Sequence, residues 1–333
     1  MRHLNIIERS WPVAGTFRIA RSALQTIPVI QVVISQNGIS GRGECRPYSR
    51  YEETQTSVRS QIESVRGAIE DGESSKRLLE LLPAGAARNA LDCALWDLNA
   101  KMTGRSVIDA LGLPAPRPRI TAYTLSIDSP KAMVQAAKSA AQYPILKIKI
   151  GSQGGDEVAL AILNARPDAR LIIDANEALN PEALTQLLIK LKGHRIVMIE
   201  QPLHDDIFDA LPKKSLLGPN AANIPICADE SLHTVDDLDK LWQAGYRAVN
   251  VKLDKCGGLS AALELMQTAK AMGFKIMAGC MVGSSLAMAP MMMLESLADF
   301  IDLDGPLLLA KDIENGLQYN GTTIHPPKAE LWG

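Results

Sequence analysis

What this chain lacks narrows its function before what it has. It carries almost no net charge, 35 Lys and Arg against 37 Asp and Glu over 333 residues. No whole-chain field therefore favours nucleic acid or anionic lipid. No GxGxxG or GxxxxGKS run occurs, so the glycine-rich phosphate loop that an open doubly wound sheet would need is missing. No CxxC or Cys/His pair suggests zinc. The five cysteines (Cys45, Cys93, Cys227, Cys256, Cys280) are odd in number, scattered and mostly inside apolar runs. That is the pattern of reduced thiols in a cytoplasmic protein, not of a disulfide framework. The opening MRHLNIIERSW is charged throughout, has no apolar h-region and does not read as a secretory signal. One uncharged stretch, 276–294, is just long enough for a bilayer. Gly279, Gly283, Ser284, Ser285 and Pro290 break it, and it reads better as a strand, a tight turn and a buried helix. Neither nucleic acid nor membrane is expected as a partner.

What is present is an ordinary globular composition, 47% hydrophobic and 22% charged, at a length that suits a barrel with a cap or two domains. Two rhythms divide it. Up to about residue 115, strands come first and helices follow. A strand at 30–35 meets one at 39–44 through Asn37-Gly38, a strong two-residue hairpin signal. Later, Ala87, Leu91, Ala94, Leu95, Leu98 and Met102 form one apolar helical stripe stopped by Gly104. Glu44 and the segment 48–51 are expected in cap loops over a barrel mouth. From residue 116 to about 309 strand and helix alternate, with strands ending near Thr124, Lys149, Asp174, Glu200, Asp229, Lys252, Cys280 and Asp304. Helices are expected at 131–142, 181–192, 234–244 and 259–272, with Gly193, Gly245 and Gly273 closing the last three. Eight strands and seven helices fit a parallel (β/α) barrel, whose reactive groups sit at the carboxyl ends of its strands.

Five of those strand ends carry a charge after an apolar run, at intervals of about two dozen: Lys149 (ILKIK), Asp174 (RLIID), Glu200 (IVMIE), Asp229 (IPICAD) and Lys252 (AVNVK). One such charge alone would be a solvated strand end. The set at regular spacing brings three carboxylates together between two amines. Residues two apart on a strand share a face, so Lys147 joins Lys149, Asn176 joins Asp174, Asn250 joins Lys252, and Asp302 joins Asp304. Like charges facing one interior are costly without compensation, and a cation among Asp174, Glu200 and Asp229 would remove much of that cost. All-oxygen ligation selects a hard ion, Mg2+ with Mn2+ as the open alternative. A lysine is a general base only when its pKa is lowered, which a metal and a second ammonium both do. Lys149 and Lys252, on the second and sixth strands, would face a substrate from opposite sides. The residues therefore point to metal-assisted proton abstraction next to a carboxylate, with inversion.

KIKIG at 147–151, DAN at 174–176, IEQP at 199–202, ADES at 228–231 and NVKLDKCGG at 250–258 resemble the muconate-lactonising subgroup of the enolase superfamily. That resemblance implies a modified TIM barrel, (β/α)7β, spanning 116–309, under an α+β capping domain of residues 1–115 completed by about 310–333. It implies one Mg2+ per subunit on Asp174, Glu200 and Asp229, and Lys149 and Lys252 as the acid/base pair. Within the subgroup, DLDG at 302–305, GCM at 279–281, and GECRPYSRY and LPAGAARNALDCALWDL in the cap resemble the dipeptide epimerases of the L-Ala-D/L-Glu type. The implied reaction is epimerisation through a metal-stabilised enediolate, in recycling of murein peptides, with Asp302 and Asp304 gripping the α-ammonium of the first residue. Thr124, Lys147, Cys280, Met281 and Arg21 fall among the implied substrate-binding residues, supported by Asn176, Glu230 and Asn250. Two departures stand out. Gly283 occupies a position where many relatives have Glu, and Arg21 is displaced by one position from an arginine that binds the glutamate side chain in some; Arg18 and Arg50 are the other candidates. Elimination of the o-succinylbenzoate synthase kind, cycloisomerisation and N-acylamino acid racemisation are disfavoured because their substrates bring no ammonium. A silent carboxylate-binding barrel would not need both lysines. A homo-oligomer remains open.

Overall fold

The type of turn that Asn37-Gly38 makes sets the first sheet. Both residues have positive φ, 52° and 76°, the two-residue geometry that matches strand twist. In the computed structural model, which describes residues 1–19 and 22–333, β1 (Arg2–Ile19), β2 (Ser22–Gln36) and β3 (Ile39–Cys45) form an antiparallel sheet in that order. Ile30, Val32 and Ile34 alternate onto its inner face and are fully buried against the helix Ala86–Thr103. The predicted stripe holds along that helix except at Met102, in its last turn, which is 38% exposed.

Sheet and helix touch backbone to backbone. A Cβ on Gly41 would lie 2.2 Å from Ala94 O, and one on Gly43 would lie 2.1 Å from Ala90 O. Gly43→Ala is expected to destabilise the fold by about 1–3 kcal/mol or more, since the obstacle is helix backbone and not a mobile side chain. Chemical unfolding checks it.

The helix has a second working face. Arg88 donates to Cys256 O (2.6 Å) and Gly257 O (3.2 Å), Asn89 Nδ2 to Asp254 Oδ1 (2.8 Å), and Asp92 accepts from Ser260 N (2.9 Å) and Oγ (2.7 Å). These bonds clamp the helix onto the turn that follows Lys252. Burial, against the Ser260 donors and Arg88, pushes the Asp92 carboxyl up to about 6. A raised acid favours the folded state fully below its unfolded value near 4, and that contribution is lost as pH climbs through about 6. Asp92→Asn is therefore expected to flatten the decline in unfolding free energy between about pH 4 and 7 by roughly 2–3 kcal/mol.

A second sheet holds eight parallel strands. After β4 (Arg119–Ile120) come β5 (Tyr123–Leu125), β6 (Ile145–Lys149), β7 (Arg170–Asp174), β8 (Ile196–Glu200), β9 (Ile226–Ala228), β10 (Ala248–Val251), β11 (Lys275–Gly279) and β12 (Phe300–Asp302). Strands β5 to β12 neighbour one another in sequence order. The ring closes where Thr121 bridges Ile301 in parallel and Ala122 N donates to Ile301 O at 2.8 Å. Helices at Pro130–Ser139, Gly155–Ala165, Pro181–Leu191, Lys214–Ala221, Leu238–Ala244, Leu259–Met272 and Ser285–Met292 connect the strands. This is a (β/α)7β barrel with a separate cap sheet. Ile145, Ile172, Met198, Cys227, Ala248 and Met277 pack as a small apolar cluster of buried residues on the strands.

The uncharged 276–294 stretch is most of strand β11, a turn and a buried helix, Ser285–Met292, that runs through Pro290. Among the described residues no helix is long and apolar enough to cross a membrane. Beyond β12 the chain returns to the first sheet. Leu309 bridges Val13, β13 (Tyr319–Asn320) pairs with β14 (Thr323–Ile324), which pairs with β4, and Trp332 Nε1 donates to Cys93 O at 3.0 Å.

Candidate active site

Period-two alternation in strands β6 to β12 puts one set of polar side chains at the carboxyl end of the barrel. The register pairs Lys149 with Asp174 and Asp174 with Glu200. Lys149 Nζ donates to Asp174 Oδ2 (2.6 Å) and Asn176 Oδ1 (3.2 Å). Lys147 Nζ donates to Glu200 Oε1 (3.1 Å) and Asp302 Oδ2 (2.8 Å), and lies 3.4 Å from Asp174. Asn250 Nδ2 donates to Glu200 Oε1 (2.7 Å), and Lys252 Nζ to Asp229 Oδ2 (2.6 Å). Asn176 Nδ2 reaches Glu230 Oε1 at 3.2 Å. Asp304 Oδ2 accepts from Thr124 N at 2.6 Å. All of these residues are buried. Thr124, Lys147, Lys149, Asn176, Asp229, Glu230, Lys252, Cys280, Met281, Asp302 and Asp304 line one cavity at the barrel mouth, under Tyr48 and Tyr51 from the cap.

Burial pushes the carboxyls of Asp174, Glu200, Asp229 and Asp304 upward, and the neighbours decide the outcome. At Asp229 the ammoniums of Lys252 and Lys255 overcome burial and hold the acid well below its usual range. Asp174 is lowered in the same way by Lys149 and Lys147. At Glu200, burial and the Asp174 charge win over Lys147, and the carboxyl rises to about 8. Burial and Asp302 raise Asp304 to about 6. Lys252, pulled down by burial and by Lys147, is pulled up further by Asp229 and ends above the ordinary lysine value. The second ammonium thus acts in the expected direction but is outweighed. Any lowering must come from positive charge placed on the carboxylates.

The donor set fits a hard divalent ion. It is all oxygen and wholly buried, and burial together with the Asp174 charge raises the Glu200 carboxyl. Glu200 Oε2 makes no hydrogen bond although Lys147 Nζ is 2.8 Å away, which leaves a directed lone pair. In the present arrangement the oxygens of Asp174, Glu200 and Asp229 do not gather within 4.8 Å of one another; Lys149 holds Asp174, Lys147 holds Glu200, and Lys252 and Lys255 hold Asp229. Among the described residues the one tighter group is Glu177, His204 and Asp205. Its positive charge is already supplied: Arg50 forks onto Glu177 (2.8 and 2.9 Å) and reaches Asp205 at 2.7 Å.

That ion pair also removes Arg50 as an anchor for a substrate side chain, because its guanidinium is spent pinning the cap segment 48–51 to the loops after β7 and β8. Arg21 lies outside the described residues, as does the side chain of Arg18. Glu44 is in strand β3 and not in a mouth loop. Its carboxylate accepts from Trp11 Nε1 (3.2 Å), Gln31 Nε2 (2.8 Å), Ser284 N (2.7 Å) and Ser284 Oγ (2.8 Å). A Cβ on Gly283 would lie 3.1 Å from Glu44 Oε1, so an acid at 283 would face a second acid; here the cap delivers the carboxylate instead.

Two residues escape the strand pattern. Lys255, on the short helix Leu253–Cys256, donates to Asp229 Oδ1 (2.6 Å), to Asp229 O and to Asn250 O (3.2 Å). Gln201, at φ 33°, accepts from Asp229 N (2.9 Å) and Ser231 N (3.1 Å) and fixes the Asp229 turn. The polar pair in KLDKCGG and the Gln in IEQP were their only sequence signals.

Residues 1–112 match the N-terminal domain of mandelate racemase and muconate lactonizing enzyme, and residues 131–329 match the enolase C-terminal domain-like family. The L-Ala-D/L-Glu epimerase of Escherichia coli K12 is 42% identical over 98% of this chain and all of its own. The N-acetyl-D-glutamate racemase of a Pseudoalteromonas species is 44% identical over 92% of this chain and 95% of its own. A solved enolase family member from Agrobacterium tumefaciens, with homology to dipeptide epimerases and with bound sodium and L-Ala-L-Glu, is 40% identical. It superposes over the whole of both chains with a TM-score of 0.93.

Proposed function

Because the chain belongs to the mandelate racemase and muconate lactonizing enzyme family of the enolase superfamily, we propose that it inverts the α-carbon of the glutamate in L-Ala-Glu dipeptides. The observation that carries this reading is the pair of buried lysines, Lys149 and Lys252, four strands apart on an eight-stranded ring, lining one cavity and paired to different carboxylates. One takes the α-proton from its face and the other returns a proton from the opposite face. Asp174, Glu200 and Asp229 would hold Mg2+ or Mn2+, which supplies positive charge to those carboxylates and to the substrate carboxylate as electron density rises on it. Asn250 and Lys147 orient Glu200, while Asn176 orients Lys149 and Gln201 the Asp229 turn. Asp302, whose Oδ1 makes no hydrogen bond among the described residues, and Asp304 receive the alanine ammonium. In this reading residues 1–115, completed by about 310–333, are the cap and 116–309 the catalytic barrel; the cellular role is recycling of murein peptides in the cytoplasm.

A second reading is favoured by the Pseudoalteromonas relative and by one contact. Lys147, 2.8 Å from Asp302, offsets part of the carboxylate charge that an uncharged acyl group would leave uncompensated. N-acetylglutamate and L-Ala-Glu are both N-acylated glutamates with the same reacting carbon. Proton NMR in D2O with Mg2+ and each diastereomer of L-Ala-Glu, and with each enantiomer of N-acetylglutamate, separates them. Exchange with inversion of the dipeptide supports the first reading, and inversion of N-acetylglutamate alone replaces it with the second. No exchange of either would sink both and turn attention to elimination or to a silent barrel.

A further inference from the structure

The buried cations of this site are matched by acids with one exception. Lys147, Lys149, Lys252 and Lys255 each lie 2.6–2.8 Å from a carboxylate. Arg46 is only 7% exposed and lines the same cavity, yet its guanidinium has no hydrogen bond or ion pair among the described residues. Its recorded side-chain neighbour is the Tyr48 ring, 5.5 Å from Cζ to centroid. The backbone that carries it is fixed, because Arg46 N donates to Asp254 Oδ1 at 3.0 Å. That oxygen also accepts from Asn89 Nδ2 at 2.8 Å, and the Asp254 charge acts on the guanidinium only from a distance, with no hydrogen bond or ion pair between them. A buried guanidinium aimed into a cavity without an anion is costly, and an incoming carboxylate relieves that cost while gaining a forked contact.

The substrate supplies the matching group. The proposed reading gives its α-carboxylate to the Asp174, Glu200 and Asp229 end and its α-hydrogen to the lysines. Asp302 and Asp304 take the group on nitrogen. Only the glutamate γ-carboxylate is then without a partner, and only Arg46 among the described cavity cations lacks one. We propose that Arg46 is a specificity residue of this chain, receiving the γ-carboxylate of an N-acylated glutamate. The assignment rests on the proposed function and holds for the dipeptide and for N-acetylglutamate alike.

The test compares glutamate with glutamine in the second position, using wild type, Arg46→Met and Arg46→Lys with Mg2+ present. KM for L-Ala-L-Glu, kcat, and the competitive Ki of L-Ala-L-Gln are measured, with melting curves as the check on folding. In Arg46→Met, KM for the glutamate dipeptide is expected to rise about 30- to 100-fold, while kcat and the glutamine Ki change less than about 3-fold. Arg46→Lys is expected to recover part of the loss. Equal weakening of both ligands, or an unchanged KM, overturns the assignment. Wild type that exchanges neither L-Ala-Glu nor N-acetylglutamate overturns the proposed function and this assignment with it.

Discussion

Lys149→Ala and Lys252→Ala are each expected to lower epimerisation by at least about 10³-fold while leaving half of the exchange chemistry intact. The lysine that remains still faces the α-carbon from its own side. It can remove the proton of the diastereomer that presents hydrogen to it and return deuterium to the same face. Each variant should therefore exchange one diastereomer in D2O without inverting it, and the two variants should retain opposite diastereomers. Folding should survive both changes, because neither leaves a bare acid. Without Lys252, Asp229 keeps Lys255 at 2.6 Å; without Lys149, Asp174 keeps Lys147 at 3.4 Å. Proton NMR of the glutamate α-position reads the outcome directly. If both variants lose exchange of both diastereomers yet bind metal normally, one lysine is not a base but a positioning group. If either epimerises at the wild-type rate, the two-base reading is wrong.

The barrel and most of the lysine and carboxylate cluster were legible in the sequence because strand alternation is a strict geometric rule. A charge closing an apolar run, as in RLIID or IVMIE, has one place to go, and the register pairs Asp174 with Glu200 as that rule requires. Lys255 was not legible because it sits a helical turn past its strand, where period two no longer applies. Gln201 was hidden by a left-handed backbone, φ 33°, that no local pattern announces. Arg50 and Arg46 show the limit most clearly. They lie four residues apart in one cap segment, of which the sequence singled out only Arg50, and they differ in what the fold brings to them. Arg50 meets Glu177 and Asp205, while Arg46 meets the cavity. Glu44 and Gly283 are 239 positions apart, and their contact explains a departure that the sequence could only register.

Asp229→Ala is expected to be the most damaging single change, in activity and in stability together. Its carboxylate is the shared acceptor of two buried ammoniums, Lys252 at 2.6 Å and Lys255 at 2.6 Å, with side chains 9% and 1% exposed. Removing the acid strands both, and breaking a buried pair in this way costs about 3–5 kcal/mol. The cost is set by the lysines and not by the ion, so it should persist when unfolding is measured with a chelator present. Asp229→Ala with Lys255→Met should recover much of the stability, because the less exposed of the two ammoniums is replaced by an apolar chain of similar length. Turnover should stay at least about 10³-fold down in both variants, since Lys252 has lost the acid that orients it and the metal set has lost a ligand. A chelated Asp229→Ala protein as stable as wild type would mean that the ammoniums are solvated or deprotonated once the acid is gone. The charge balance described for the barrel mouth would then be wrong at its centre.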